Sequence, residues 1–575
     1  MKWGILRCDD MAKLVQNTRF ATAAWIVVIM AVAVARVMFT YPVFSQTVDE
    51  GDHLAAGMQW WQEGLYTFEP LHTPLARIAI AALPYWAGLR IGGSGNMDIE
   101  GNVVLHQGGR YERNLTLARL GILPFFIVAV LLIWYWARSL FGADVGWVAV
   151  LLFTNLPAIL AHSGLATTDM PVTAMLLGAL VALCRWIQRP CITRSMVLGL
   201  AVALALLSKL TAVLFLPLAG LMIVACCWRG FSTLGYSGSV GDINRMWTHF
   251  AVFILTCFLT IWATYRFSLD PIRSERIRPH KTVDATVGDT GRLHDAVYRV
   301  IEANLLPATE FFSGIKEAHL QSEKGRVGYL LGDLKQGGWW YFFPLAFAVK
   351  TPIPFLVLVG LGGAILCVRA SRTREFWVLA PLAGALSMLF GGLFSSINIG
   401  LRYVLPIYPL LAIVAAVGVV GLWQRCRGLS VGRIMAGTLL AWHVVSSVRA
   451  HPDYLSYFNE VAASDPGAFL VDSDLDWGQD LLRLRDELRR RKVERFAIAY
   501  FGGADLDEHN LPPFQLLKPG VQQSGWVAVS EFLLREKSED YKWLTRHKPV
   551  ALVGSSIRLY YIKCEPPIAT NEGRC

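Results

Sequence analysis

The sequence predicts an α-helical polytopic membrane protein that carries a small soluble α/β domain at its C-terminal end. The first observation is composition: of the 575 residues, 54% are hydrophobic and only 17% are charged, and the mean hydropathy is +0.43. Such values are typical of membrane proteins. The second is a series of apolar stretches long enough to cross a bilayer. The third is a change after residue 450, where charge density rises and apolar runs shorten.

About eleven apolar stretches are expected to form transmembrane helices. The first follows a basic segment, Met1 to Arg19. It is long for a signal peptide and lacks a small-x-small cleavage site, which favours a retained signal-anchor. The fifth and sixth stretches are divided near Ser208-Lys209. The predicted cores are approximately 21–43, 117–137, 145–161, 171–187, 195–208, 211–228, 249–266, 340–368, 376–395, 403–423 and 431–449.

The basic loops predict how the chain is oriented. With the N-terminus in the cytoplasm, nearly every short basic loop falls on the cytoplasmic side, as is usual for membrane proteins. The net charge of +10 is therefore explained by these loops, and no nucleic-acid partner is expected. The arginines on this side are Arg138, Arg185, Arg189, Arg194, Arg229, Arg245, Arg369, Arg372, Arg374, Arg425, Arg427 and Arg433.

The opposite, extracytoplasmic side receives almost every unusual polar motif, which predicts a site at this face rather than a pore. We expect residues 1–449 to form a transmembrane domain that contains this site, with a first extracytoplasmic loop at 45–116 and a second large loop at 267–338. Residues 450–575 are expected to form an extracytoplasmic soluble α/β domain, which could take part in recognition at the site or cover it. Within it, Asp476 to Leu488 has helical spacing of leucine, and Arg495–Tyr500, Trp526–Ser530 and Pro549–Val553 are typical of short buried strands.

An acidic pair, Asp49-Glu50, directly follows the first apolar stretch, with Asp52 and His53 close behind. A carboxylate partly shielded from water is a suitable general base, and a second carboxylate beside it raises its proton affinity. The alternative is that both acids cap a helix that starts near Asp52. Position alone does not decide between the two.

His72 and Arg77 close the same region. His72 is a candidate for binding a metal, hydrogen-bonding a phosphate or carrying a proton. Its alternative is an interfacial histidine that faces water. Arg77 could hold a phosphate with two hydrogen bonds, or it could anchor a helix at lipid headgroups.

Two charged residues interrupt apolar surroundings further along. Asp169 lies in the polar turn 162–169, where it either caps a helix that runs into Pro171 or faces the same cavity as Asp49. Lys209 interrupts an apolar run, which is costly unless the amine finds a partner or reaches the headgroups. We favour a phosphate contact for Lys209.

The last motifs combine aromatic and basic residues. Trp339 and Trp340 begin an aromatic cluster that either positions a helix at the interface or stacks on sugar rings. Lys350 lies within the following apolar stretch and, like Lys209, needs a partner. Arg402 opens a span from the extracytoplasmic side, where the positive-inside rule does not favour it, and an anionic ligand such as a phosphate would explain it.

Taken in order, these pieces resemble glycosyltransferase family 39, which is related to protein O-mannosyltransferases and lipid A aminoarabinose transferases. The ordered set spans most of the chain, and the resemblance implies a GT-C fold. The matching pieces are Asp49-Glu50 with His53, His72 to Leu75, Ala166 to Pro171, Trp339 to Pro352, Asn398 to Pro409 and Asp472 to Asp480.

The resemblance implies an inverting enzyme that moves a sugar from a polyprenyl-phosphate donor to an acceptor hydroxyl outside the cytoplasm. It makes Asp49 the catalytic base and Asp169 the second acidic motif, with Glu50 beside them. The donor phosphate is expected at Lys209 and Arg402, with Lys350 and Arg77 as further candidates. The substrate-binding candidates are His53, His72, Trp339, Trp340 and Tyr403.

The chemistry agrees with these residues. A base must take the acceptor proton, and cations must stabilise the departing phosphate. No cofactor is required, although a divalent metal is possible and His72 is a candidate ligand. The aminoarabinose transferases carry a Glu-Lys pair where this sequence has His72, so their metal site does not carry over residue by residue.

A second class of function stays open, that of a transporter or lipid flippase with an extracytoplasmic gate. Transporters place ionisable groups near the bilayer midplane within repeated halves. Here the charges gather at one face and the sequence has no repeat, which favours the transferase. We expect a multi-pass protein of the plasma (inner) membrane, with its site on the periplasmic side. Its partners would be the lipid-linked donor, membrane lipids and a protein, lipid or glycan acceptor.

Overall fold

A computed structural model describes residues 24–231, 240–270, 306–425 and 431–563. This part of the chain is mostly helical with a small C-terminal sheet, which confirms the predicted fold class of a helical membrane protein with an α/β region. The basic N-terminal segment and Arg427 lie outside the described residues.

The helices are numbered in chain order. They are α1 (Ala24–Met38), α2 (Glu50–Gln62), α3 (Pro74–Trp86), α4 (Met97–His106), α5 (Tyr111–Leu120), α6 (Leu123–Phe141), α7 (Ala143–Phe153), α8 (Pro157–Ser163), α9 (Asp169–Gln188), α10 (Ile192–Ser208), α11 (Ala212–Phe231), α12 (Val240–Thr264), α13 (Thr309–Lys324), α14 (Phe342–Lys350), α15 (Ile353–Thr373), α16 (Ala380–Gly392), α17 (Ile407–Arg425), α18 (Val431–Arg449), α19 (Leu481–Arg490), α20 (Glu531–Glu536) and α21 (Ser538–Tyr541).

Within the described ranges, six helices are long and apolar enough to cross a membrane. A bent pair, α7 and α8, would make seven, and its two halves meet at 69°. Several further apolar helices, including α1 and α10, are shorter. The predicted number of about eleven spans is therefore not confirmed. The six are Tyr111–Phe141, Asp169–Gln188, Arg245–Thr264, Ile353–Thr373, Ile407–Gln424 and Val431–Arg449.

The predicted continuous span 340–368 is two helices. α14 ends at Lys350 and α15 begins at Ile353, after Pro352. Proline has no backbone N–H to continue the helical hydrogen bonds, and Pro354 follows within the first turn of α15. The interruption leaves Lys350 at a helix end instead of inside a span.

The membrane helices pack closely through glycine. α15 lies against α17, and a Cβ at Gly362 would be 1.9 Å from the carbonyl oxygen of Val414. Only glycine fits this approach, which is typical of helix interfaces in membranes. α10 packs against both α9 and α12 and so holds its C-terminal end, at Lys209, beside the start of α9.

Nine short strands complete the described structure. Two are two-residue strands that pair in antiparallel fashion, and two form a hairpin between α13 and α14. The other five form one sheet of order β6-β5-β7-β9-β8, in which β5 is parallel to β6 and β7 and the remaining pairs are antiparallel. The strands are β1 (Leu269–Asp270), β2 (Leu306–Pro307), β3 (Val327–Leu330), β4 (Asp333–Gln336), β5 (Phe496–Ala499), β6 (Phe514–Leu516), β7 (Gly525–Ser530), β8 (Ala551–Val553) and β9 (Ile557–Ile562).

The C-terminal helix begins later than the leucine spacing predicts. α19 starts at Leu481, and residues 476–480 are not helical. Gly478 has φ +86°, and the Asp476 carboxylate accepts the backbone N–H of Gly478 at 3.2 Å. This local hydrogen bond replaces a helical one.

The chain before the sheet packs into the membrane part of the molecule. Tyr454, Leu455, Phe458 and Trp477 belong to the same buried cluster as the transmembrane helices, whereas the sheet has two small apolar clusters of its own. The domain boundary at residue 450 stays a prediction, and the segment up to Trp477 is physically continuous with the helical core.

Candidate active site

Asp49 occupies the N-terminal boundary of α2, but its side chain makes no capping hydrogen bond. Its Oδ2 instead accepts a hydrogen bond from Nη1 of Arg402 at 2.6 Å. The side chain is 25% exposed, so one side of the carboxylate is open to solvent. Asp49 thus lies at the start of a helix and binds an arginine that is distant in the sequence.

Arg402 is held by the C-terminal part of the chain. It lies in a one-turn helix that follows Gly400, whose φ of +113° favours glycine. The N–H of Leu401 donates to both carboxylate oxygens of Asp474, at 3.1 and 3.2 Å. The guanidinium carbon lies 4.2 Å from the centroid of the Trp477 ring, a distance at which cation–π attraction is effective.

Asp169 and Lys209 form a buried ion pair beside this arginine. Asp169 is fully buried, and its Oδ1 accepts a hydrogen bond from Nζ of Lys209 at 2.6 Å. Lys209 lies directly after α10, where the backbone is extended and the helix has ended. The other oxygen, Oδ2, lies 3.9 Å from Nη1 of Arg402. Asp49, Arg402, Asp169 and Lys209 therefore form a continuous chain of alternating charge.

Three buried polar atoms in or beside this chain of charges lack a hydrogen-bond partner among the described residues. They are Oδ2 of Asp169, Nε of Arg402 and Nδ1 of His162. Nδ1 of His162 is 3.6 Å from the Asp169 carboxylate. Buried polar atoms in native proteins are nearly always bonded to protein or water. Their concentration here indicates unused capacity to bind a polar ligand.

A cavity of about 170 Å³ opens beside Asp49 and Arg402. Its walls combine charged side chains with aromatic rings from the hairpin β3–β4 and from the C-terminal part. The lining residues beyond Asp49 and Arg402 include Val48, Arg326, Tyr329, Phe342, Asn398, Asp472, Trp477, Phe501, Phe532 and Glu536.

Glu50 is a buried structural anchor in this arrangement. Both of its oxygens accept hydrogen bonds from Arg119, at 2.8 and 2.9 Å. Oε1 also accepts the backbone N–H of Ala166, and Oε2 accepts that of Thr47, each at 2.8 Å. With these bonds made, the Glu50 carboxylate joins the start of α2 to α5 and to the turn that precedes Asp169. Its geometry favours holding the site together over taking part in proton transfer.

Arg77 belongs to a separate buried network. Its guanidinium donates to Oε2 of Glu69 at 2.6 Å, to Nδ1 of His53 at 3.1 Å and to the Tyr66 hydroxyl at 3.1 Å. Burial raises the pKa of Glu69, but His72 and Arg77 lower it more, so the pKa lies well below its usual range. Burial, followed by the charge of Arg77, lowers the pKa of His53. The partners of Arg77 are thus internal side chains.

His72 also has an internal partner. Its Nδ1 lies 2.8 Å from Oε2 of Glu69, and its ring meets that of His53 edge-on at 5.0 Å. In the part of the chain that the structure describes, no group of three or more His, Cys, Asp or Glu side chains has the arrangement of a metal site. The donor set around His72 therefore does not fit a metal.

Lys350 bridges α14 to the C-terminal part. Its Nζ donates to the carbonyl oxygens of Leu455 and Asp474, at 2.7 and 2.5 Å, and lies 4.2 Å from the centroid of the Phe458 ring. These contacts are to backbone and ring atoms within the fold. Through Asp474, which also accepts the N–H of Leu401, Lys350 supports the turn that carries Arg402.

The three aromatic candidates do not line the cavity beside Asp49. Trp340 is 67% exposed, and Trp339 donates its backbone N–H to Asn398 at 2.6 Å. Tyr403 stacks on Phe343 with ring centroids 5.0 Å apart. They lie near the site at the start of α14 and in the turn with Arg402.

A second cavity, of about 550 Å³, lies on the other side of Val48, between α2, α4 and the C-terminal part. Asp52, Asp98, Asp505 and Glu508 line it. Burial, together with the charge and the hydrogen bond of Asp98, raises the pKa of Asp52 to about 8. Asp52 is therefore largely protonated at neutral pH.

Four residues that shape the site were not singled out for a role from the sequence. Two of them are partners of predicted residues: Arg119 binds Glu50, and Glu69 binds Arg77. The other two, Asp472 and Trp477, lie in a motif that contributed to the family resemblance but was given no role in the site. Glu69 stands eight positions before Arg77 in the sequence. That spacing matches no helical or strand periodicity, so Glu69 could not be distinguished from an ordinary acidic residue of a loop. Trp477 could have been noticed as a large aromatic residue among closely spaced aspartates in the predicted C-terminal domain.

Comparison with known proteins gives a family match and two structural likenesses. Residues 113–262 match the family model described as dolichyl-phosphate-mannose-protein mannosyltransferase. The chain is similar to the crystal structure of ArnT from Cupriavidus metallidurans bound to undecaprenyl phosphate, with 14% identity, 93% of this chain and 98% of that chain covered, and a TM-score of 0.46. The apo state of the same protein gives 12% identity, 94% and 98% coverage and a TM-score of 0.46. No curated protein matches the sequence.

The family match confirms the predicted resemblance over the segment that it covers. That segment contains Arg119, Asp169 and Lys209, while Asp49 and Arg402 lie outside it. The chain is a multi-pass membrane protein, and its residues 113–262 resemble the glycosyltransferases of this family.

Proposed function

We propose that the protein is an inverting glycosyltransferase that moves a sugar from a polyprenyl-phosphate donor to an acceptor hydroxyl at the extracytoplasmic face of the plasma membrane. The observation that carries the proposal is the chain of alternating charge formed by Asp49, Arg402, Asp169 and Lys209, at the ends of apolar helices. Inverting transfer needs both a base and cations, and this chain of charges supplies them in one place.

Asp49 is the base in this proposal. An acceptor hydroxyl that enters the cavity meets the open side of its carboxylate and transfers a proton to it while the hydroxyl oxygen attacks the anomeric carbon. A positioned base contributes about 10²- to 10⁴-fold to the rate of such steps. In the structure, Arg402 donates a hydrogen bond to one oxygen of this carboxylate and so occupies part of its capacity to accept.

Arg402 and Lys209 receive the donor phosphate. The negative charge on the phosphate grows as the bond to the sugar breaks, and fixed cations stabilise that charge most where water is excluded. Arg402 has an unbonded Nε, and its hydrogen bond to Asp49 can be exchanged for one to phosphate. This exchange would free Asp49 to act as a base only when the donor is present.

The other charged candidates hold the site in shape. Asp169 orients Lys209 and Arg402 through its two oxygens. Glu50 holds the start of α2, and Lys350 and Arg77 bind internal partners. The proposal therefore assigns the phosphate to Arg402 and Lys209 alone and includes no metal.

Undecaprenyl phosphate binding tests the donor half of the proposal. We expect Arg402→Ala to weaken the binding of undecaprenyl phosphate by the purified protein about tenfold or more, because a charge-assisted hydrogen bond to phosphate is lost. Arg90→Ala is the matched control, since Arg90 is exposed and stacks on Tyr85 away from the site. Equal affinity of the Arg402→Ala variant and the wild type would remove Arg402 from the phosphate site.

A further inference from the structure

The segment around Trp477 is part of the active site as well as of the C-terminal part. The N–H of Val48, the neighbour of Asp49, donates to the carbonyl oxygen of Trp477 at 3.0 Å. The N–H of Leu401, the neighbour of Arg402, donates to Asp474. The same segment therefore fixes both members of the Asp49–Arg402 pair.

Four aspartates lie in this segment, and three of them are used to anchor it. Asp474 accepts the N–H of Leu401, and Asp476 accepts the N–H groups of Gly478 and Phe532. Asp480 accepts hydrogen bonds from Arg483, Ser555 and Ser556. These contacts hold the segment to the helical core and to the sheet.

Asp472 is the fourth, and it lines the cavity beside Asp49 and Arg402. Arg402, Arg326 and Asp49 are the charged groups that act on it. Burial raises the pKa of Asp472 to about 6, against the opposing effect of the two arginines. The group is therefore ionised at neutral pH and is a strong hydrogen-bond acceptor.

The cavity places Asp472 and Asp49 around one small volume with aromatic walls. Phe501 and Phe532 stack on each other at 3.8 Å and line the same space. Two carboxylates need two hydrogen-bond donors on one ligand. A sugar ring with neighbouring hydroxyls supplies both and can lay its apolar face on the aromatic rings. A serine or threonine in a peptide supplies a hydroxyl and backbone N–H groups, but it has no apolar ring face to lay on them.

We propose that Asp472 is an acceptor-binding residue and that the acceptor is a glycan. Its carboxylate accepts a hydrogen bond from a hydroxyl next to the one that attacks the donor, while Asp49 takes the proton of the attacking hydroxyl. The C-terminal part then serves acceptor recognition. This inference rests on the proposed glycosyltransferase function, because it assumes that Asp49 faces the acceptor.

Binding of simple probes to the full-length protein in detergent tests the inference. Methyl α-glucoside is the glycan probe and N-acetylthreonine methylamide is the peptide probe, and saturation-transfer NMR measures both. We expect the wild type to bind the glucoside and Asp472→Asn to weaken that binding about tenfold, as for loss of a hydrogen bond to a charged group. Asp505→Asn is the matched control, because Asp505 lines the other cavity.

Each other outcome overturns the inference. A wild type that does not bind the glucoside, or an Asp472→Asn variant that binds it as well as the wild type, removes the glycan subsite. Binding of the threonine probe that depends on Asp472 assigns the residue to a protein acceptor instead. Asp472→Ser is a second variant that removes the carboxylate, and its binding of the glucoside is measured in parallel. Retained binding of undecaprenyl phosphate by Asp472→Asn and Asp472→Ser verifies that the two variants are folded. If undecaprenyl phosphate fails to bind the wild type, the proposed function fails separately.

Discussion

Arg402 is the residue around which the site is organised. Its Nη1 lies between the carboxylates of Asp49 and Asp169, at 2.6 and 3.9 Å, and its guanidinium carbon lies 4.2 Å from the centroid of the Trp477 ring. The two carboxylates are balanced in charge by Arg402 together with Lys209, yet Nε of Arg402 has no partner among the described residues. We propose phosphate as the ligand of this guanidinium, because guanidinium groups bind phosphate with two hydrogen bonds.

Glu50 gives a prediction at the same scale. Glu50→Gln leaves Arg119 buried beside a neutral partner, and breaking a buried ion pair costs about 3–5 kcal/mol. We expect a clear fall in the thermal unfolding midpoint of the purified protein. Glu539→Gln is the control, since Glu539 pairs with Lys542 at the surface and such pairs contribute about 0–1 kcal/mol. Similar midpoints for the two variants would contradict an anchoring role for Glu50.

The sequence located some of these residues for physical reasons. The basic loops predict that Arg402 lies on the side of the membrane where arginine is disfavoured, and Lys209 interrupts an apolar run, so each was expected to need a partner. Arg77 and Lys350 met the same criterion, but their partners are Glu69 and backbone carbonyls. A charged residue in an apolar stretch predicts that the charge has a partner. Only the three-dimensional structure shows whether that partner is another residue of the protein.

At the scale of elements, the site is built at helix ends. Asp49 begins α2, Asp169 begins α9 and Lys209 follows α10. Helix ends leave backbone groups unpaired and let side chains project past the packed core. The predicted break at Ser208-Lys209 coincides with the end of α10, because the apolar pattern changes there. The late start of α19 was not predicted, since the hydrogen bond between Asp476 and Gly478 is local and does not alter the leucine spacing.

The cavity between α2 and α4 predicts a pH dependence. The pKa of Asp52 is about 8 in the folded protein against 3.8 for the free group, so the folded state holds a proton that the unfolded state releases. Stability is therefore unaffected below pH 3.8 and falls as the pH rises toward 8, where the group ionises beside Asp98 and Asp49. We expect Asp52→Asn to remove this decline, so that the stability of the variant relative to the wild type increases as the pH rises.

Unfolding midpoints measured from pH 5 to pH 9 check this expectation. Asp333→Asn serves as the control, because Asp333 is exposed on β4. A constant difference between Asp52→Asn and the wild type across that range would mean that Asp52 is ionised throughout.

At the scale of the whole molecule, the charge asymmetry predicts the orientation in the membrane. The site and the sheet lie together, and the short basic turns lie at the opposite helix ends. We expect alkaline phosphatase, which is active only outside the cytoplasm, to be active when fused after residue 563 and inactive when inserted after residue 190. The reverse pattern would place the site in the cytoplasm and contradict the proposed topology.

The fold class follows from composition and hydropathy, but the number of spans does not. α10 is apolar yet short, and α7 with α8 is bent, so length alone cannot separate spanning from partly buried helices. The strands β6 and β9 also escaped prediction. Burial explains only part of this outcome. β6 is largely exposed and carries little apolar signal, but the missed β9 is mostly buried, and in β8, which was predicted as a buried strand, only Val553 is buried.

The most direct test of the central claim is the transfer activity of Asp49→Asn in cells. A host that lacks the protein is complemented with the wild type, with Asp49→Asn or with Asp505→Asn, and its envelope glycans are measured by mass spectrometry. The account predicts that a sugar modification lost with the protein returns with the wild type and Asp505→Asn, and that Asp49→Asn restores less than about a hundredth of it. Restoration by Asp49→Asn at the wild-type level would contradict the account.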